Sequence, residues 1–114
     1  MITRHMSTPI MHRAVEHAGT VYLAGVVADD LKLPMKGQTA QALAKIEKVL
    51  ADSGSSKKKL LAATLYITDM GMKGEMNEAW NEWLATEDKP ARATIGVADL
   101  GEGVLIEIVV TAAK

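Results

Sequence analysis

The sequence predicts an α+β sandwich, with two helices on one face of a mixed sheet. Three observations carry this expectation. Short β-branched or apolar runs and two longer segments of helical period follow the order β-β-(β)-α-β-α-β-β. Only two segments have that period, so a single helical layer is available to cover the sheet. The chain has 114 residues, 48% hydrophobic and 24% charged, with a net charge of −1. That suffices for one core, and it is too apolar and too weakly charged for a disordered chain. A single domain over residues 1–114 is expected.

Residues 11–17 alternate imperfectly and read as a half-exposed strand. Ala18-Gly19 is a turn signal, and Thr20-Val21-Tyr22-Leu23-Ala24 reads as the returning strand of a hairpin. Gly25 then breaks the pattern, as expected for a bulge or a close approach to the backbone. Val26-Val27-Ala28 reads as a short third strand, and residues 29–36, with Pro34, as a loop. Thr39, Leu43, Ile46 and Leu50 form one apolar stripe in a helix over 37–52, which Ser53-Gly54-Ser55-Ser56 ends. Lys57-Lys58-Lys59 is tempting as an anion site, but reads better as solvated charge at the foot of a strand over 60–68. The second helix covers 75–86, and its stripe of Met76, Ala79, Trp80 and Trp83 reads as core. Strands over 91–97 and 104–112 follow, joined by residues 98–103.

Several function classes drop out. The chain has no cysteine, which excludes disulfides, thiolate metal sites and thiol catalysis. No apolar run approaches the ~20 residues of a membrane span, and residues 1–6 lack the apolar region of a secretory signal. A pI near 6.3 argues against a nucleic-acid binder. His5, His12 and His17 form no metal pattern, and no phosphate loop, serine elbow or dinucleotide fingerprint occurs. A cytoplasmic protein is the expectation.

The last two strands carry the candidate chemistry. Glu107 lies inside Leu105-Ile106-Glu107-Ile108-Val109, where a carboxylate is costly unless paired. A hairpin centred on residues 99–100 sets Arg92 opposite Glu107 and Thr94 opposite Leu105, all on one face. Two readings stay open: a salt bridge that fixes register, or a site. Val104-Leu105-Ile106 and Ile108-Val109-Val110 are apolar on both sides, so the uncovered face calls for a second copy of the chain.

Pro90-Ala91-Arg92-Ala93-Thr94-Ile95-Gly96-Val97 followed by Val104-Leu105-Ile106-Glu107-Ile108 resembles the C-terminal signature of the Rid family. These are the reactive intermediate deaminases, also called YjgF/YER057c/UK114 and labelled endoribonuclease L-PSP. The likeness extends to Val21-Tyr22-Leu23-Ala24-Gly25 and Leu65-Tyr66-Ile67-Thr68-Asp69-Met70, over about nine-tenths of the chain. It implies a chorismate-mutase-like fold of the bacillus type and a homotrimer with clefts between subunits. It implies hydrolysis of 2-imino or 2-enamino acids to 2-keto acids and ammonia, with no cofactor, since an imine carbon is already electrophilic. Arg92 would hold the carboxylate of a small metabolite, Glu107 would activate water, and Thr94 and Gly25 would help bind substrate. Ala24 stands where the best-characterised deaminases usually have serine, Thr94 where cysteine is frequent, Met11 where tyrosine lines the cleft, and Gly96 where an acidic residue is common. In these departures the chain resembles the divergent subgroups. The other reading is a non-catalytic trimer that binds a small carboxylate.

Overall fold

The computed structural model spans residues 1–114. Ala18 and Gly19 take φ of 51° and 81°, the left-handed pair that a two-residue hairpin loop needs. They join β2 (His12–His17) to β3 (Thr20–Leu23), with His17 opposite Thr20. The expected third strand over 26–28 reduces to one bridge, Val26 with Ile108. The extra strand is instead β1 (Ile2–Ser7), antiparallel to β2 at the sheet edge. Its polar run of Thr3, Arg4 and His5 carries no apolar alternation, so pattern reading passes over it.

Helix α1 (Met35–Asp52) starts directly after Pro34, two residues before the expected start. Gly37 does not delay it. A Cβ there would stand 3.0 Å from Leu33 Cβ, so glycine lets Leu33 pack on the first turn. β4 (Leu60–Ile67) follows a short 3₁₀ turn formed by Lys57-Lys58-Lys59. Lys57 is not free: its Nζ donates to Trp83 O at 2.9 Å and stands 5.7 Å from the Trp83 ring centre. Helix α2 covers Lys73–Trp83, and Thr86–Asp88 turn separately. Met76, Ala79 and Trp80 are buried as expected, while Trp83 donates from Nε1 to Glu47.

The last strands differ from the expected hairpin. β5 (Ala91–Gly96) pairs in parallel with β4, and β6 (Ile106–Ala113) pairs antiparallel with β4 on its other side. The sheet order is β1-β2-β3-β6-β4-β5. The reason is the β4-α2-β5 crossover: a helix between two strands returns the chain parallel to its start and takes the position beside β4. Residues 97–105 then cross back over to β6, with Gly101 and Gly103 at positive φ. β6 therefore begins at Ile106, two residues later than expected.

Both helices cover the same sheet face. Leu43, Ile46 and Leu50 of α1 and Met76 and Trp80 of α2 share one core with Ala63, Leu65, Ile67, Ile106, Ile108 and Val110. Burial of each large side chain stabilises the fold by about 1.5–3 kcal/mol. The other face has no covering element. Tyr22 is 51% exposed and Ile95 43%, so apolar surface lies open there. No helix is long and apolar enough to cross a membrane.

Candidate functional site

Sheet register decides where the candidate residues point. Arg92, Thr94 and Gly96 lie opposite Ala63, Leu65 and Ile67 of β4, whose side chains face the helices. Arg92 thus faces α2, and its guanidinium carbon lies 5.3 Å from the Trp80 ring centre. Glu107 is opposite Tyr66, on the uncovered face. The expected same-face pairing of Arg92 with Glu107 is therefore incorrect, because β4 stands between their strands. Two strand spacings separate them by about 10 Å, and three residues along the strand add about 10 Å more. Neither residue belongs to any of the seven ion pairs of the chain, which removes the register-fixing salt bridge.

The fold gathers the candidate residues into two groups, two candidate half-sites. The first lies between β5 and α2. Arg92 is half-buried there, and burial lowers its pKa from the usual arginine range. A guanidinium stays charged in proteins, so this is a cation that has lost water without gaining a counter-ion. The hydroxyl of Thr94 is buried without a hydrogen-bond partner, and so is Asn77 Oδ1. Asn77 stands one turn before Trp80 on α2. One Asn among the polar positions of a helix carries no pattern in the sequence. Its signal is the orphaned oxygen. Three polar groups without hydrogen-bond partners, two on β5 and one on the helix that Arg92 faces, leave hydrogen-bonding capacity for a small polar ligand.

The second half-site joins Gly25 and Glu107. Val26 and Ile108 exchange two backbone hydrogen bonds of 2.9 and 3.0 Å, which draws Gly25 against β6. A Cβ on Gly25 would stand 2.9 Å from Glu107 Cδ and 3.2 Å from Cγ. Only glycine leaves that space to the carboxylate, as the break in the strand pattern anticipates. Met11, at the end of the β1–β2 loop, is 40% exposed. The one cavity of the single chain lies at neither half-site, but between α1 and the β1–β2 hairpin. The histidines are dispersed: His5 pairs with Glu16, and His17 Nδ1 lies 3.1 Å from Met1 O.

The family model described as Endoribonuclease L-PSP matches residues 5–114. A RutC family protein of Haemophilus ducreyi is 39% identical over 113 residues, 99% of this chain and 97% of that protein. The crystal structure of a YjgF family member from Neisseria meningitidis superposes with a TM-score of 0.95 at 36% identity, covering 100% of this chain and 95% of that one. A Yersinia pestis protein of unknown function from the Rid family, YyfA, superposes with a TM-score of 0.89 at 27% identity, covering 95% and 90%.

Proposed function

The chain belongs to the Endoribonuclease L-PSP family, whose members carry the names RutC, YjgF and Rid, and from this premise we propose that it is an imine deaminase. It takes 2-imino acids, and the 2-enamino acids that tautomerise to them, and releases 2-keto acids and ammonia. The observation that carries the reading is Arg92: a charged, partly desolvated guanidinium without a carboxylate partner, on the same strand face as the unpartnered hydroxyl of Thr94. A guanidinium fork binds a carboxylate through two parallel hydrogen bonds, which suits the constant group of such substrates.

Glu107 supplies the second function. It takes a proton from water as the oxygen attacks C2 of the imine, and passes that proton to the nitrogen. The carboxylate then takes the hydroxyl proton of the tetrahedral carbon and delivers it to the same nitrogen, so the C–N bond breaks, ammonia leaves and C2 becomes a carbonyl. Glu107 cannot reach a substrate held by Arg92 of its own chain, because the two face opposite sides of the sheet. We therefore place the reaction between copies of the chain, one contributing Arg92 and Thr94 and the next Gly25 and Glu107. The uncovered apolar face, with Tyr22 and Ile95, supports an assembly through the sheets, and the closed form we propose is a homotrimer.

One observation favours a second reading. The Arg92 half-site lies within a single chain, so carboxylate binding needs less than catalysis does. A binding protein for a small carboxylate would keep that half alone. The experiment that separates them generates a short-lived 2-imino acid in situ and follows its decay. Faster decay with the protein supports the deaminase, and an unchanged decay rate together with 2-keto acid binding supports the binding protein. Light scattering at micromolar concentration should give about three times the chain mass of 12.2 kDa. A stable monomer would contradict the shared site.

A further inference from the structure

At the opposite edge of the sheet from Arg92, the β1–β2 hairpin and α1 border an open cleft of about 360 Å³. Its volume is at the lower end for small-molecule sites, the size of a metabolite rather than a nucleotide cofactor. We propose that this cleft is a second binding site, specific for a small aliphatic monocarboxylate. It stands apart from the reading of Arg92, since β2 and β5 are four strand spacings, about 19 Å, apart.

The charges in the cleft select the ligand. Lys45 donates to Asp29 Oδ1 at 2.9 Å and to Val27 O at 2.8 Å, so its charge is matched. Lys48 pairs with Asp52 at 3.6 Å, one turn along α1. Arg13 alone lines the cleft without an ion pair. The cleft therefore has one unmatched positive charge, on the side chain whose fork fits a carboxylate. A dianion would leave a negative charge over Asp29 and Asp52, and a cation would add to the excess. Met6 and Val49 supply apolar walls, which an aliphatic body covers.

A second observation singles out the same place. Met6 has φ of 53°, one residue before the end of β1, between His5 and Ser7, which keep register with Ala14 and His12. A non-glycine residue in left-handed backbone is uncommon within a strand pair, and here it breaks the side-chain alternation at Met6. Met6 is partly buried and packs against the core, and it also lines the cleft. Its flexible thioether is suited to packing on aliphatic chains of differing shape.

The test uses the full chain carrying Arg92→Ala, so that the first site contributes nothing and its failure stays separate. With methyl-¹³C methionine, the Met6 resonance is assigned by Met6→Leu and followed during titration with hexanoate. The expected result is a saturable shift of the Met6 methyl, and at least about tenfold weaker binding in Arg13→Gln, as for loss of a charged hydrogen-bond partner. Hexylammonium should leave the resonance unmoved, and inorganic phosphate at equal ionic strength should not displace hexanoate. A Met6 methyl that does not respond to hexanoate overturns the proposal, as does equal affinity in Arg13→Gln. Binding of hexylammonium or competition by phosphate would also overturn it. Val49→Phe provides an independent check, since it fills the cleft from α1 and should abolish the shift without touching Arg13.

Discussion

The Glu107 carboxylate occupies the space that a side chain at Gly25 would need, with Cδ 2.9 Å from the position of a Cβ. The neighbour is the end of a side chain, so the strand backbone need not move when that space is filled. Gly25→Ala should therefore leave the fold intact and turn Glu107 away. Turnover of an in situ imino acid should drop by about 10²-fold, as for a misplaced reacting group. Carboxylate affinity should change far less. Unchanged turnover in Gly25→Ala would show that Glu107 acts from another position or not at all.

Arg92→Ala should abolish binding of 2-ketobutyrate, measured by calorimetry, while the oligomer persists in light scattering. Loss of the stacking on Trp80 costs about 0.5–1 kcal/mol, too little to unfold the chain. Arg92→Lys should bind more weakly than wild type, because an ammonium lacks the fork. Retained binding in the Ala variant would remove Arg92 from the ligand site.

Gln38 is fully buried and joins the loop after β3 to the entry of β6. Its Nε2 donates to Leu33 O and Gly103 O at 3.0 Å, and its Oε1 accepts from Leu105 N at 3.0 Å. Gln38→Leu keeps the volume and strands these groups, so it should destabilise the fold by about 1–3 kcal/mol in urea unfolding. The Gly25 loop and Glu107 follow from those two segments, so turnover should fall with it. A neutral effect on stability would mean that water replaces the amide.

Glu16 accepts from Lys114 Nζ at 2.8 Å and lies 2.9 Å from His5 Nε2. The hydrogen bond from Lys114, then that from His5, holds its carboxyl below the usual range. A depressed carboxylate stabilises the fold fully above its unfolded pKa, about 4.3, and the gain is lost as pH falls through the lower folded value. The urea midpoint of wild type should exceed that of Glu16→Gln at pH 7, and the difference should close in acid. A difference independent of pH would mean that the contact is not electrostatic.

Much of this fold is legible in the residues. The hairpin turn at Ala18-Gly19, the stripe from Thr39 to Leu50 and the buried face of Met76 and Trp80 follow from local chemistry. β1 is not legible, because an edge strand with polar residues has no alternation to read. The pairing of β5 is not legible either. A hairpin and a crossover leave the same local pattern in residues 91–112, and only the packing of α2 between β4 and β5 decides between them. That decision moved Arg92 and Glu107 to opposite faces. Type and isolation mark the two residues as candidates, whereas their relation requires the topology.

That relation is tested most directly by mixing two variants. Arg92→Ala and Glu107→Gln are each expected to be inactive toward an imino acid generated in situ, the second by about 10²–10⁴-fold. They are then unfolded together in equal amounts and refolded as mixed oligomers. If each site takes Arg92 from one copy and Glu107 from the next, random trimers restore about a quarter of the wild-type sites, and activity returns to that level. Activity that stays at the level of the separate variants, while refolded wild type is active, would place both residues' work within one chain and contradict the shared site.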